Sequence, residues 1–370
     1  MIDSSVTGRV RTGTARLALV VMAFIVAALL GEGVLRTLFP GGLQGRLEAQ
    51  DIYPWLAFDP LLSWRNSPGY CQKEFGIGAH GDRLVDGPVE PARGAPRVLF
   101  LGDSRTFGIW LGKSGFRYDN DFASQLARRA GKRLEVLNAG TVGYTSSQGL
   151  RQWMIVGDRI HPDIVVVAYG MNENLPSWNA SYRVSEPRSA LVRGLLYRFG
   201  GWRWVQGGFW VARRSPWSLS QADWKPWVSI DEYRRNLERF TEESRRRDVR
   251  LLFLHLPLRP LARGDNEPLF PGETPPPLSI YGVNSLEELH EVHDRFRDIT
   301  REVAEFHDTP MLDVSDGFRE FRELNPEGEL YSAYDLVHPN ARGAAVIARL
   351  LEGRLVSLGW LASSDGAEVR

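Results

Sequence analysis

Residues 164–169 read Ile-Val-Val-Val-Ala-Tyr, an unbroken apolar run with four β-branched members. A run of this kind is short for a helix and calls for burial on both faces, as in the middle of a parallel sheet. The flanking chain repeats the theme. Further short apolar runs at 98–101, 134–137, 249–256 and 311–314 read as strands. Between them, 121–130 and 147–158 carry helical periodicity, the second with Leu150, Trp153 and Met154 on one face. Ser229 with Glu232, and Ser285 with Glu288, are capping-box pairs that open two more helices. Tyr233, Leu237 and Phe240 line the inner face of the first, and the second runs to about residue 306. A last helix is expected over 340–358. Strands alternating with helices predict a parallel sheet covered by helices on both faces.

Two stretches break the alternation. The segment 176–228 holds seven of the chain's twelve tryptophans: Trp178, Trp202, Trp204, Trp210, Trp217, Trp224 and Trp227. The segment 257–278, with Pro260, Pro268, Pro271, Pro275, Pro276 and Pro277, must be a loop. Ahead of the alternation, 39–95 is rich in Pro, Gly and aromatic residues (Tyr53, Trp55, Phe58, Trp64, Tyr70) and reads as irregular structure packed on a domain. Gly76, Gly78 and Gly81 spell G-x-G-x-x-G there. No apolar strand precedes it and no amphipathic helix follows, so it is rejected as a dinucleotide fingerprint.

The N-terminus sets the expected compartment. Residues 17–30 are apolar without a charge, and Glu32 is the single charge between Arg16 and Arg36. As a helix those intervening residues span roughly 28 Å, close to a bilayer core of about 30 Å. Arg9, Arg11 and Arg16 precede the run against one acid, Asp3, which places the N-terminus inside and the bulk of the chain outside. A retained anchor is the preferred reading. A cleaved signal peptide and a buried core helix are the alternatives, although no clean small-x-small cleavage site follows the run. The expected organisation is a cytoplasmic N-terminus over 1–16, a transmembrane anchor over 17–38, a juxtamembrane segment over 39–95, the α/β domain over 96–360 and a tail over 361–370. The protein is then a single-pass inner-membrane protein with a periplasmic domain.

Composition removes some classes of function. Basic and acidic residues balance at 45 each, so the electrostatic footprint of a general nucleic-acid binder is missing. With Cys71 as the one cysteine, neither an intrachain disulfide nor a cysteine-rich zinc site can form. His290 and His293 sit three apart on a helix, but no third ligand is visible and a solvated helix face is the simpler reading. His80, His161, His255 and His307 have no evident partner. No metal or organic cofactor is implied.

In open parallel sheets, ligands bind beyond the carboxyl ends of the strands. Gly102-Asp103-Ser104 follows the first strand, Gly140 the second, and Gly170-Met171-Asn172 the third. Asp335-Leu336-Val337-His338-Pro339 follows the fifth across a loop. A nucleophile, a glycine, an amide side chain and an acid–base pair are thereby gathered at one edge.

This constellation resembles the SGNH (GDSL-type) hydrolase family in its membrane-anchored bacterial form. RVLFLGDSRTFG resembles the nucleophile block, NAGTVGYTS the glycine block, VVVAYGMNEN the G-x-N block and DLVHPNARG the final D-x-x-H block. One departure is Glu173, where the family usually carries aspartate. The resemblance implies a three-layer α/β/α sandwich around a flavodoxin-like, five-stranded parallel sheet. It implies catalysis by Ser104, His338 and Asp335, with an oxyanion hole from the backbone N–H groups of Ser104 and Gly140 and the side-chain amide of Asn172. His338 would take the Ser104 proton, and Asp335 would hold the imidazole tautomer. Ser104 is expected at the start of a helix, whose free N–H groups and dipole favour negative charge.

Three functions remain open on the sequence. The first is a serine esterase acting on O-acetyl or other acyl esters of a carbohydrate or envelope polysaccharide. The second is an O-acyltransferase using the same three residues for polysaccharide modification, and the third a non-catalytic carbohydrate-binding scaffold. The Trp-rich insertion is expected to cap the core, to lie at the membrane interface, or to line a sugar or acyl cleft beside Ser104.

Overall fold

A computed structural model of the chain describes residues 4–38, 53–59, 62–72, 75–85, 90–112, 115–117, 121–175, 226–260, 282–332 and 335–363. Most of the Trp-rich insertion and of the Pro-rich loop lies outside the described residues.

Five parallel strands form the central sheet: β3 (Arg97–Gly102), β6 (Glu135–Asn138), β7 (Ile164–Ala168), β8 (Arg250–His255) and β9 (Met311–Asp313). Their order is β6-β3-β7-β8-β9, the flavodoxin-like arrangement. Register runs straight across the middle, with Phe100 opposite Val166 and Val166 opposite Leu252. Because side chains alternate along a strand, each strand feeds both layers. Val98, Phe100, Ile164, Val166, Leu252 and Leu254 pack on one face against α3 (Phe122–Ala130), α7 (Ser315–Leu324) and α8 (Ala341–Ser357). Leu99, Leu101, Val165, Val167, Leu251 and Phe253 pack on the other against α4 (Ser146–Ile160), α5 (Ile230–Arg246) and α6 (Leu286–Phe306). The continuous apolar runs are thus explained: each residue of β7 is buried, on whichever face it points to.

The helices begin where their caps predict. Ser229 and Ser285 accept from the backbone N–H groups of Glu232 and Glu288, Asp121 caps α3 and Asn340 caps α8. Thr145 and Gln148 form a capping box on α4. Boundaries shift by one or two residues from the sequence expectation, and α7 had no place in it. Its apolar face is reduced to Phe318 and a partner in Phe321, too few to register as periodicity.

Ahead of the sheet, α1 (Ser4–Leu38) contains one stretch, Ala18–Leu38, long and apolar enough to cross a membrane. The segment after residue 52 is less irregular than expected. β1 (Leu56–Asp59) and β2 (Ser63–Asn66) form an antiparallel hairpin, and Trp55, Leu56, Phe75 and Ile77 bury themselves against Phe107 and Ile109. The G-x-G-x-x-G stretch is a turn within this segment, closed by Gly78 N–H donating to Asp82 O. The Asp82 carboxylate occupies the space beside Gly78, an unsuitable neighbour for a phosphate. A second small hairpin, β4 (Trp110–Gly112) and β5 (Gly115–Arg117), follows the one-turn helix α2 (Ser104–Phe107).

Candidate active site

Asp103 follows directly on β3 and is the N-cap of α2, which Ser104 opens. The helix has only four residues, so the expected macrodipole contribution shrinks to that of individual first-turn N–H groups, which have no acceptor within their own helix. The Ser104 Oγ lies 2.8 Å from His338 Nε2, across 234 positions of sequence. His338 Nδ1 lies 2.5 Å from Asp335 Oδ2.

The turn 335–338 explains that geometry. Asp335 Oδ1 accepts from the backbone N–H groups of Val337 (2.9 Å) and His338 (3.2 Å), which curls the chain and leaves Oδ2 for the imidazole. Burial raises the Asp335 pKa. His338, by charge and by its ring hydrogen bond, together with those two amides, outweighs burial and holds the carboxyl below the usual range. Asn340 secures the turn from the other side. Its Nδ2 donates to Glu329 O and Tyr331 O, while its Oδ1 caps α8. The segment after β8 ties in as well: Tyr331 OH donates to Pro257 O, and Arg259 N–H to Leu336 O.

The Ser104 turn has its own brace, which sequence reasoning passed over. Arg105 donates to both Asp103 carboxylate oxygens and, through Nη1, to Leu256 O. Both side chains are about 1% exposed. A charged residue directly after the candidate serine was a local signal available for this pair.

The expected oxyanion donors are differently placed with respect to competing acceptors. Asn172 Nδ2 carries two hydrogens and donates one to Tyr144 O at 2.9 Å, which leaves a second. The Gly140 N–H is already held by Asn138 Oδ1 at 3.0 Å. It can serve an oxyanion only as a shared, three-centre donor. Glycine is required at this position: a Cβ would stand 2.5 Å from Phe107 N and 2.8 Å from Thr106 C.

Glu173 has a role the sequence did not disclose. Fully buried, it accepts from Ser146 N–H (2.7 Å) through Oε1 and from Gly170 N–H (3.0 Å) through Oε2. It staples the end of β7 to the start of α4, and so the Asn172 turn to the Gly140 loop. Burial pushes its pKa up to about 7, with Asp103 adding to the rise and the bound amides opposing it. The histidines also differ from expectation. His293 is buried, not on a solvated helix face, and its ring lies 4.7 Å from that of His255 at the end of β8. No cluster of three or more metal-ligating side chains occurs among the described residues.

A hydroxyl against an imidazole backed by a carboxylate is an arrangement suited to acyl transfer. Residues 100–346, two thirds of the chain, match the GDSL-like lipase/acylhydrolase family, and the chain belongs to that family. It is an ester-hydrolysing enzyme of the GDSL/SGNH type. Among solved structures the chain is similar to an alpha/beta hydrolase enzyme from the metagenome of Lake Arreo, Spain, at 19% identity, covering 74% of this chain and 98% of that one with a TM-score of 0.43. It is also similar to the lipase/acylhydrolase from Enterococcus faecalis (14% identity, 72% and 97% covered, TM-score 0.42). A third is an acetylxylan esterase from Geobacillus stearothermophilus (17% identity, 74% and 99% covered, TM-score 0.39). No curated protein is similar enough in sequence to count as a relative.

Proposed function

We propose that the protein is a serine esterase in which Ser104 is the nucleophile, His338 the base and then the acid, and Asp335 the group that orients and stabilises the imidazole. The observation that carries this reading is the 2.8 Å contact between Ser104 Oγ and His338 Nε2. The Oγ proton passes to Nε2 as the Oγ–carbon bond forms, and Nε2 returns it to the departing alkoxide as the ester bond breaks. Water then repeats the sequence on the acyl-enzyme. Negative charge on the carbonyl oxygen is met by the Ser104 N–H, the second Nδ2 hydrogen of Asn172 and the shared Gly140 N–H.

The substrate class in this reading is an acyl ester, in the simplest case O-acetyl, on a carbohydrate or envelope polysaccharide. Two observations support it. The arginines ahead of the apolar run favour an extracytoplasmic domain, where such polymers lie, with Ala18–Leu38 as its single inner-membrane span. The segment that follows soon after Asn172 is rich in tryptophan, a residue type whose flat apolar ring suits stacking on a sugar.

A fluorophosphonate should label the full-length protein on the peptide containing Ser104, and Ser104→Ala should abolish the labelling. Modification of another residue would overturn the assignment. Acetate release from an O-acetylated polysaccharide then tests the substrate class, and transfer of the acyl group to a sugar acceptor in place of release would show an acyltransferase.

A further inference from the structure

The family match begins at residue 100, yet the blocks that hold Ser104 and Gly140 are gripped by side chains upstream of it. Gly140 lies flat against the backbone of Thr106 and Phe107. The spacing between the two blocks is therefore set by whatever holds their main chains. Within the domain, Asn138 donates to Thr106 O at 2.8 Å and accepts from Gly140 N–H. From upstream, Arg83 donates through Nη1 to Phe107 O at 2.5 Å and pairs with buried Asp121 at 3.1 Å. Asn66, 2% exposed, donates through Nδ2 to Gly140 O and Gly81 O, each at 3.0 Å, with Thr141 Oγ1 at 3.3 Å. Gly140 is thus held at its nitrogen by Asn138 and at its carbonyl by Asn66. Trp64 adds a bond from Nε1 to Val142 O in the same loop.

We propose that Asn66 is a positioning residue for ester hydrolysis, and that the segment running from Trp55 to Arg83 is a working part of the active site and not a linker between α1 and the domain. The proposal rests on the reading of Ser104 as nucleophile. Its physical basis is that oxyanion donors act through placement: a donor displaced from the developing charge forfeits its contribution to the transition state while substrate binding is little affected. Removing the Asn66 amide leaves two buried carbonyls without that donor and frees the Gly140 loop to shift from the nucleophile turn.

The test compares Asn66→Ala and Asn66→Ser with Leu355→Ala in the full chain. Leu355 is fully buried near the far end of α8, in the core cluster on the α3–α8 side of the sheet, which includes no residue of the Gly140 loop. Asn66→Ala should lower kcat and the fluorophosphonate inactivation rate by about tenfold or more, with KM changed by less than about twofold. Asn66→Ser, which keeps one shorter donor, should fall between. Leu355→Ala should lower the thermal midpoint at least as far while keeping kcat within about twofold of the parent. Unchanged kcat in Asn66→Ala, or activity lost only in step with unfolding as in Leu355→Ala, overturns the proposal. If Asn66→Ala does not fold, Asn66→Ser is judged by the same criteria. Ser104→Ala separates the two readings: continued labelling there refutes the nucleophile, whereas silence there with full activity in Asn66→Ala refutes the positioning role alone.

Discussion

Each residue of the candidate site contributes one polar group, and removing it should produce a distinct kinetic signature. Asp335→Asn keeps the shape of the turn but favours the wrong imidazole tautomer; kcat is expected to fall by about 10⁴, read as steady-state turnover of a chromogenic acetate ester. Asn172→Ala removes a donor that matters only once charge develops. It should cost about 10²–10³ in kcat with little change in KM, and a KM effect alone would mean that Asn172 binds substrate and not the oxyanion. The buried Asp103–Arg105 pair adds no such donor. It fixes the Ser104 turn to Leu256 O and so to the chain that holds the Asp335–His338 turn.

Among the secondary-structure elements, buried ionisable groups at the strand ends make stability depend on pH in opposite directions. Burial lowers the His255 pKa to about 3, and burial with the neighbouring His255 and Arg105 holds His293 well below its ordinary value. Unfolded histidine titrates near 6.5, so below that pH the unfolded chain binds more protons. The stabilisation is present above about pH 6.5 and is lost as pH falls, by up to about 1.4 kcal/mol per unit for each histidine. Denaturant titrations at pH 6.5 and 5 should show a shallower loss for His293→Gln than for the parent, and parallel slopes would refute the assignment. Glu173 acts the other way. Its folded pKa of about 7 exceeds the ordinary 4.5, so its contribution is present below about pH 4.5 and fades as pH rises through 7. The stability gap between the parent and Glu173→Gln should therefore narrow across that window, measured by the same titrations.

For the molecule as a whole, the proposed topology puts the sheet and its site outside the cytoplasm. Cys71, the chain's one cysteine, is exposed and lies beyond α1, which makes it a natural reporter. A membrane-impermeant maleimide applied to intact spheroplasts should label it. Labelling only after lysis would reverse the orientation, and recovery of the full chain in the soluble fraction would remove the anchor.

The fold was legible because its causes are local in sequence. Doubly buried strands demand runs such as 164–169, and helix starts at Ser229, Ser285 and Asn340 depend on side chains within three positions of the amides they cap. The candidate site was legible in part for a related reason: strand ends in a parallel sheet converge on one edge, so motifs at those ends are neighbours wherever they fall in the chain. Other features had no local trace. The hairpin β1–β2 is short and half-covered, and its value lies in what Asn66 and Trp64 reach some seventy-five positions away. Glu173 gains its function from amides at Gly170 and Ser146, and His293 its burial from β8. Sequence alone determined the sheet, its caps and which residues stand at its edge. Tertiary structure alone decided which donors are already committed and which distant side chains hold them, because a hydrogen bond between remote segments leaves no periodicity in either.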